Sequence, residues 1–197
     1  MPKFIETICV LNGEIQNFDR HLARIRATQE KHFGRSMLIP TDPIRALAAT
    51  SVGRAKLRFT YDAMVIYDIE VTPYNIRHVE KLRLVHDNAI LYQEKSEDRS
   101  ALQRLHEGTS ADEEIIIVKQ GYLTDTSYTN IALYDGTQWV TPTTPLLAGT
   151  RRAALIAQGK LTERPIRETD LPQYEKISLI NAMMDLGEMV IPMQQVK

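Results

Sequence analysis

The 197-residue chain holds one cysteine, Cys9, so no intrachain disulfide can form and a reducing compartment is expected. Neither sign of charge is in excess: 24 Lys and Arg stand against 25 Asp and Glu, a formal net charge of −1. That balance gives no fold-wide basic field to recruit nucleic acid or an anionic membrane. Any anion must therefore be held by a local arrangement. The opening "MPKFIETICV" lacks the apolar stretch of a signal peptide, and no later run could span a bilayer, so a cytoplasmic protein is expected. Also missing are G-x-G-x-x-G, a Walker loop, G-x-S-x-G, C-x-x-C and H-E-x-x-H. Their absence removes the commonest signatures of dinucleotide binding, P-loop chemistry, serine hydrolysis and zinc sites. His21, His32, His78, His86 and His106 never fall at ligand spacing, and no metal is expected.

What is present reads as mixed β and α structure. "FIETICVLNGEIQNF" is a hairpin around Asn12-Gly13, followed by a helix through "RHLARIRATQEKHF" that Asp19 or Asn17 can cap and Gly34 ends. "TDPIRALAATS" is a short capped helix with Pro43 in its first turn, and "AKLRFTYDAMVIYDIEV" a second hairpin. "TPYNIRHVE" (72–80) is the best linker. Beyond it, "KLRLVH", "EEIIIVKQG" and "KISLINAMM" are strands, and "EDRSALQRLHEG" and "TRRAALIAQG" are helices closed by Gly108 and Gly159. "YTNIALYDGTQWVTP" is a hairpin turned by Asp135-Gly136. The expectation is an α+β fold of two lobes, 1–75 and 76–197, without the regular βαβ alternation of a Rossmann sheet.

Few local stretches point to chemistry. Cys9 sits in an apolar run as a small core residue, and Asp112, Glu113 and Glu114 precede a buried strand as a solvated loop. "TPLLAGTRRAALI" puts Gly149 and Thr150 at a helix start. Backbone N–H groups there make either an anion site or an ordinary loop-to-helix junction. Lys95 in "YQEKSEDRS" is either a solvated charge among Glu94, Glu97 and Asp98 or an amine that does chemistry.

Five segments in order bear on that choice: "FIET" with "HLAR" (21–24), "KSEDR" (95–99), "GYLTDTSYTN" (121–130), "TPLLAGTRR" (144–152) and "LINAMM" (179–184). Together they resemble the class IV, pyridoxal-phosphate-dependent aminotransferases. That family includes branched-chain and D-amino-acid aminotransferases and aminodeoxychorismate lyase, the branch to which the chain is most similar. The resemblance runs from Phe4 to about Met193. It implies the two-lobed, D-amino-acid aminotransferase-like fold, pyridoxal 5'-phosphate as cofactor, a small amino substrate and a homodimer.

Residue by residue, the resemblance implies that Lys95 forms the Schiff base with the cofactor. A lysine amine suits that role because it can lose its proton when desolvated and then attack an aldehyde. Asp125, five positions before Asn130 of the same cofactor-binding motif, would pair with the pyridinium nitrogen and keep the ring an electron sink. Arg24 would hold the phosphate with a charge-assisted fork. Backbone at Thr150 and Arg151 would cradle the phosphate on one side, and backbone at Asn181 and Ala182 would close the other. Thr7 would sit near the proton path, and Arg58 is either a substrate-carboxylate reader or a surface arginine. The implied activity is that of the lyase, which releases pyruvate and leaves 4-aminobenzoate for folate synthesis. An amino-acid aminotransferase and a catalytically silent cofactor binder are the alternatives. The chain departs from the family in four places: a shortened N-terminal lobe, Asp125 where glutamate is usual, Ala182 where aminotransferases have a hydroxyl, and no S-R-G substrate loop after "AKLRFTYDA".

Overall fold

The computed structural model describes residues 1–197, which divide into two units: Met1–Ile76 with Glu94–Asp98, and Arg77–Gln93 with Arg99–Lys197. The first unit is built on a four-stranded sheet of order β2-β1-β3-β4. Strands β1 (Phe4–Leu11) and β2 (Glu14–Ile15) pair antiparallel, with Val10 opposite Ile15. Asn12 and Gly13 turn the hairpin at φ 47 and 87, the double left-handed conformation that matches the strand twist. Helix α1 (Phe18–Phe33) buries Phe18, Leu22 and Ile25, and Gly34 closes it at φ 66 by donating its N–H to the Glu30 carbonyl. Asn17 takes the N-cap position but makes no side-chain cap bond, while Asp19 lies in the first turn. Helix α2 (Thr41–Ala48) also starts without a side-chain cap.

Strand β3 (Arg54–Tyr61) pairs along all of β1 and with β4 (Ile66–Pro73). Its alternation buries Leu57, Phe59 and Tyr61 against Phe4, Ile8, Ile25 and Ile44 in one core. Burying each such side chain contributes about 1.5–3 kcal/mol.

The outer edge of β1 has a second occupant. Phe4 bridges Ser96, Ile5 N–H donates to the Lys95 carbonyl (2.8 Å), and Glu97 N–H donates to the Lys3 carbonyl (2.9 Å). Glu94 forms ion pairs with Lys31 and His32 in the last turns of α1. The expectation that the larger C-terminal lobe carries Lys95 is therefore corrected. Main-chain hydrogen bonding places Lys95 in the first unit, while Arg99 of the same motif belongs to the second.

The second unit has two sheets. Strand β5 (Lys81–His86) runs parallel to β6 (Glu113–Lys119), with α3 (Ser100–His106) between them in sequence, and β7 (Tyr122–Leu123) pairs antiparallel to β6. The run Ile115–Val118 is fully buried, as a central strand requires. The other sheet has order β10-β9-β8-β11-β12, from β8 (Asn130–Tyr134), β9 (Trp139–Pro142), β10 (Thr162–Arg164), β11 (Lys176–Ile180) and β12 (Val190–Pro192). Asp135 shapes the β8–β9 turn by accepting N–H bonds from Thr137 and Gln138. Helix α4 (Thr150–Ala157) follows β9. The few helices and several sheets make an α+β fold. No helix is long and apolar enough to cross a membrane.

Candidate active site

In the first unit the chemistry gathers on the face of β1 that packs against α1. Glu6 is wholly buried in an otherwise apolar stretch, and two α1 side chains one turn apart converge on it. Arg24 donates Nε–H to Glu6 Oε1 (2.9 Å) and Nη2–H to Oε2 (2.7 Å), a side-on fork. His21 Nδ1 lies 2.7 Å from Glu6 Oε2. Burial pushes the Glu6 carboxyl up, but Arg24 and His21 pull harder, and the net is a fall from 4.5 to about 2. Burial lowers the His21 pKa; Glu6 raises it, and the charges of Arg24 and Lys95 lower it further. His21 is thus a neutral imidazole at pH 7 that donates Nδ1–H to an ionised Glu6. Lys95, half-buried, is close enough for its charge to be felt at His21.

Glu6 contributes stability that is fully present above pH 4.5 and lost as the pH falls toward 2, because its folded pKa lies below its unfolded value. The amount is on the order of 3 kcal/mol. Urea titrations should show this acid limb in the parent protein and its loss in Glu6→Gln. Identical pH profiles would contradict the assignment.

Thr7 and Arg58 are directly opposite one another on β1 and β3, and Arg58 is opposite Glu70 on β4. Adjacent residues of a strand point to opposite faces, so Thr7 and Arg58 share the face away from Glu6 and Arg24. The fold brings Thr7 to Arg58 but not to the Arg24 cluster.

In the second unit Asp125 is the centre. It is buried, and both its oxygens accept N–H bonds: Oδ1 from Asn130 Nδ2 (2.8 Å) and Oδ2 from the Leu147 backbone (2.9 Å). Asn130 Nδ2 also donates to the Leu147 carbonyl (2.9 Å), closing a ring of three residues. Burial raises the Asp125 pKa to about 7; the hydrogen bonds and the more distant Arg152 lower it only in part. Gly149 is required beside this ring. A Cβ there would stand 2.0 Å from Asn130 Oδ1.

Gly149 is the N-cap of α4, which begins without a side-chain cap, and Thr150, its first residue, is buried. The first-turn N–H groups of such a helix suit an anion. Arg151 reaches Asp185 (Nη1 to Oδ2, 3.3 Å), and its Nε is buried with no hydrogen-bond partner. Asn181 Oδ1 accepts the N–H groups of Met183 (2.8 Å) and Met184 (3.1 Å), closing a tight turn that holds Ala182. Arg99 Nη2 donates to the Ser127 carbonyl (2.7 Å), within the loop that joins Asp125 to Asn130.

Glu6, His21 and Leu147 carry no role in the sequence motifs, and Gly149 enters there only as a helix start, not as the neighbour of Asn130. The signal for Glu6 was available: a lone acid inside "FIETICV" needs a buried cation. The contact of Gly149 with Asn130 spans 19 positions and has no local signature.

The residues fit a pyridoxal phosphate on three observations. Asp125 is a buried carboxylate with no ion-pair partner in contact, which suits a protonated pyridine nitrogen. The uncapped start of α4 and the orphaned Nε of Arg151 suit a phosphate.

The two units have the fold of class IV aminotransferases, and the chain belongs to that family: the Amino-transferase class IV model matches residues 3–189. An uncharacterized Haemophilus influenzae protein is 32% identical over 189 residues, 94% of this chain and all of that one. The crystal structure of a proposed 4-amino-4-deoxychorismate lyase from Haemophilus somnus is 32% identical, with TM-score 0.86 over 94% of this chain and 98% of that one. A hypothetical aminotransferase from Mycobacterium tuberculosis in its PLP-bound form shares the fold, with TM-score 0.75 and 15% identity over 100% of this chain and 81% of that one.

Proposed function

We propose that the chain is a pyridoxal-phosphate-dependent lyase that converts 4-amino-4-deoxychorismate into 4-aminobenzoate and pyruvate. The observation that carries the reading is Asp125, a buried carboxylate poised near neutrality for want of a cation. The choice of substrate rests on the likeness to the Haemophilus somnus protein and on Ala182, which resembles the lyase branch.

By the family resemblance, Lys95 and Arg24 of the first unit would take the cofactor's aldehyde carbon and phosphate; in the second unit the starts of α4 and of the Asn181 turn would suit a phosphate, and Asp125 a ring nitrogen. The bound group supplies an electron sink. Free as an amine once the substrate is bound, Lys95 Nζ would take the proton that leaves the substrate ring, while the C–O bond to the enolpyruvyl group breaks and its electron pair stays on the departing oxygen. The departing enolate gains a proton at its methylene carbon and leaves as pyruvate. Asp125 would stay ionised beside a protonated ring nitrogen, and Asn130 and Leu147 keep both its oxygens oriented. Thr7, on the same sheet face as Arg58, is a candidate member of the proton path, and Arg58 a candidate for the substrate carboxylate.

The test is product analysis on protein reconstituted with pyridoxal phosphate. Stoichiometric 4-aminobenzoate and pyruvate from aminodeoxychorismate are expected. Amino transfer to a keto acid, with no 4-aminobenzoate, would replace the lyase with an aminotransferase. A protein whose absorbance does not change with the cofactor would be neither.

A further inference from the structure

We propose that Glu6 is a positioning residue: its carboxylate fixes the plane of the Arg24 guanidinium, and so sets how well the protein tells a phosphorylated ligand from its dephosphorylated form. This rests on the reading that Arg24 meets the cofactor phosphate. Glu6 is fully buried in β1, opposite Phe59 in the sheet, on a strand face whose other members are Phe4, Ile8 and Val10. An apolar side chain there would serve stability as well as a charged pair, because desolvating both charges offsets most of their attraction. The geometry supplies a reason for an acid.

Both bonds from Arg24 use one edge of the guanidinium, Nε and Nη2, at 2.9 and 2.7 Å. A two-point contact fixes both direction and plane, which a single contact or a lysine could not do. The carboxylate is held in turn by His21, whose neutral ring donates to Oε2 at 2.7 Å from one turn earlier on α1. Glu6 also has a covalent neighbour that matters: Ile5 donates its N–H to the Lys95 carbonyl at 2.8 Å. One strand therefore orients the Arg24 side chain and anchors the Lys95 main chain, within a single unit.

Charge and orientation predict opposite signs. As a charge alone, Glu6 repels a phosphate, and its removal would strengthen phosphate binding. As a clamp, its removal frees Arg24 to turn, and discrimination falls.

The experiment measures, by absorbance titration, the ratio of the Kd for pyridoxal to the Kd for pyridoxal phosphate in the parent protein, Glu6→Gln, Glu6→Asp and Arg24→Ala. The parent is expected to favour the phosphate form at least about a hundredfold, and Arg24→Ala to lose most of that preference. Glu6→Gln is expected to lose about tenfold in the ratio while its pyridoxal Kd stays near the parent's, which a general loss of folding would not produce. Glu6→Asp keeps the charge but withdraws the carboxylate by one methylene. Its ratio should fall as well, and it decides the matter if Glu6→Gln does not fold. A ratio unchanged or increased in a folded Glu6 variant overturns the clamp and leaves the cofactor reading intact. A parent protein with no preference for the phosphate form overturns both.

Discussion

Asp125→Asn is expected to remove a pH-dependent penalty from the cofactor-free protein and to cripple the loaded one. The sign follows from burial. An unfolded aspartate titrates near 3.8 and the folded one near 7, so between these values the folded state holds a proton that the unfolded state has lost. Stability therefore falls as the pH rises from 3.8 to 7, and the penalty is complete above that. Its size is on the order of 4 kcal/mol. Asparagine does not titrate, so the downward limb should vanish. The variant's absolute stability is a poorer guide, since one N–H of Asn130 or Leu147 would then face an amide NH2 at a cost of about 1–3 kcal/mol. Turnover should drop about 10²- to 10³-fold, the size expected when one preorganised electrostatic partner is lost. Urea titrations from about pH 4 to 8 on parent and variant give the first result, and steady-state assays the second. A parent protein equally stable across that range would show that Asp125 is not the titrating group.

Gly149→Ala is the second large effect, and it is steric. The backbone at Gly149 (φ −68, ψ 141) suits any residue, so no conformational freedom is at stake. The new methyl would stand 2.0 Å from Asn130 Oδ1, and Asn130 cannot step aside without dropping its bonds to Asp125 and to the Leu147 carbonyl. The expected loss is roughly 2–4 kcal/mol, or a Tm lower by about 10 °C. Thermal unfolding of Gly149→Ala, Asn130→Ala and the double variant separates this cause from others. With Asn130 truncated the clash disappears, so the double variant should be little worse than Asn130→Ala alone. Simple addition of the two losses would contradict the contact.

What the sequence made legible was local or ordered. The Asn12-Gly13 and Asp135-Gly136 turns, the helices ended by glycine and the buried Ile115–Val118 strand each carry their signal in adjacent residues. The family came from five segments in order rather than from any one of them. The three-residue strands Thr162–Arg164 and Val190–Pro192 are too short to show a period. Lys95 could not be assigned to its unit because what holds it is the edge of β1, some ninety positions earlier. The clamp on Arg24 was hidden for a similar reason. The alternation of β1 shows which residues face α1 but not that an acid among them meets a guanidinium two helical turns into that helix. Thr7 and Glu6, adjacent in one motif, fall on opposite faces of the sheet, so motif membership did not mean a shared face.

The central claim is that one amine, Nζ of Lys95, bonds to the cofactor. Borohydride reduction of the pyridoxal-phosphate-loaded protein, followed by proteolysis and mass mapping, tests it most directly. A single phosphopyridoxyl label is expected, on the peptide that contains Lys95, and none in Lys95→Ala. A label on another lysine, or no label on a protein that has bound the cofactor, would contradict it.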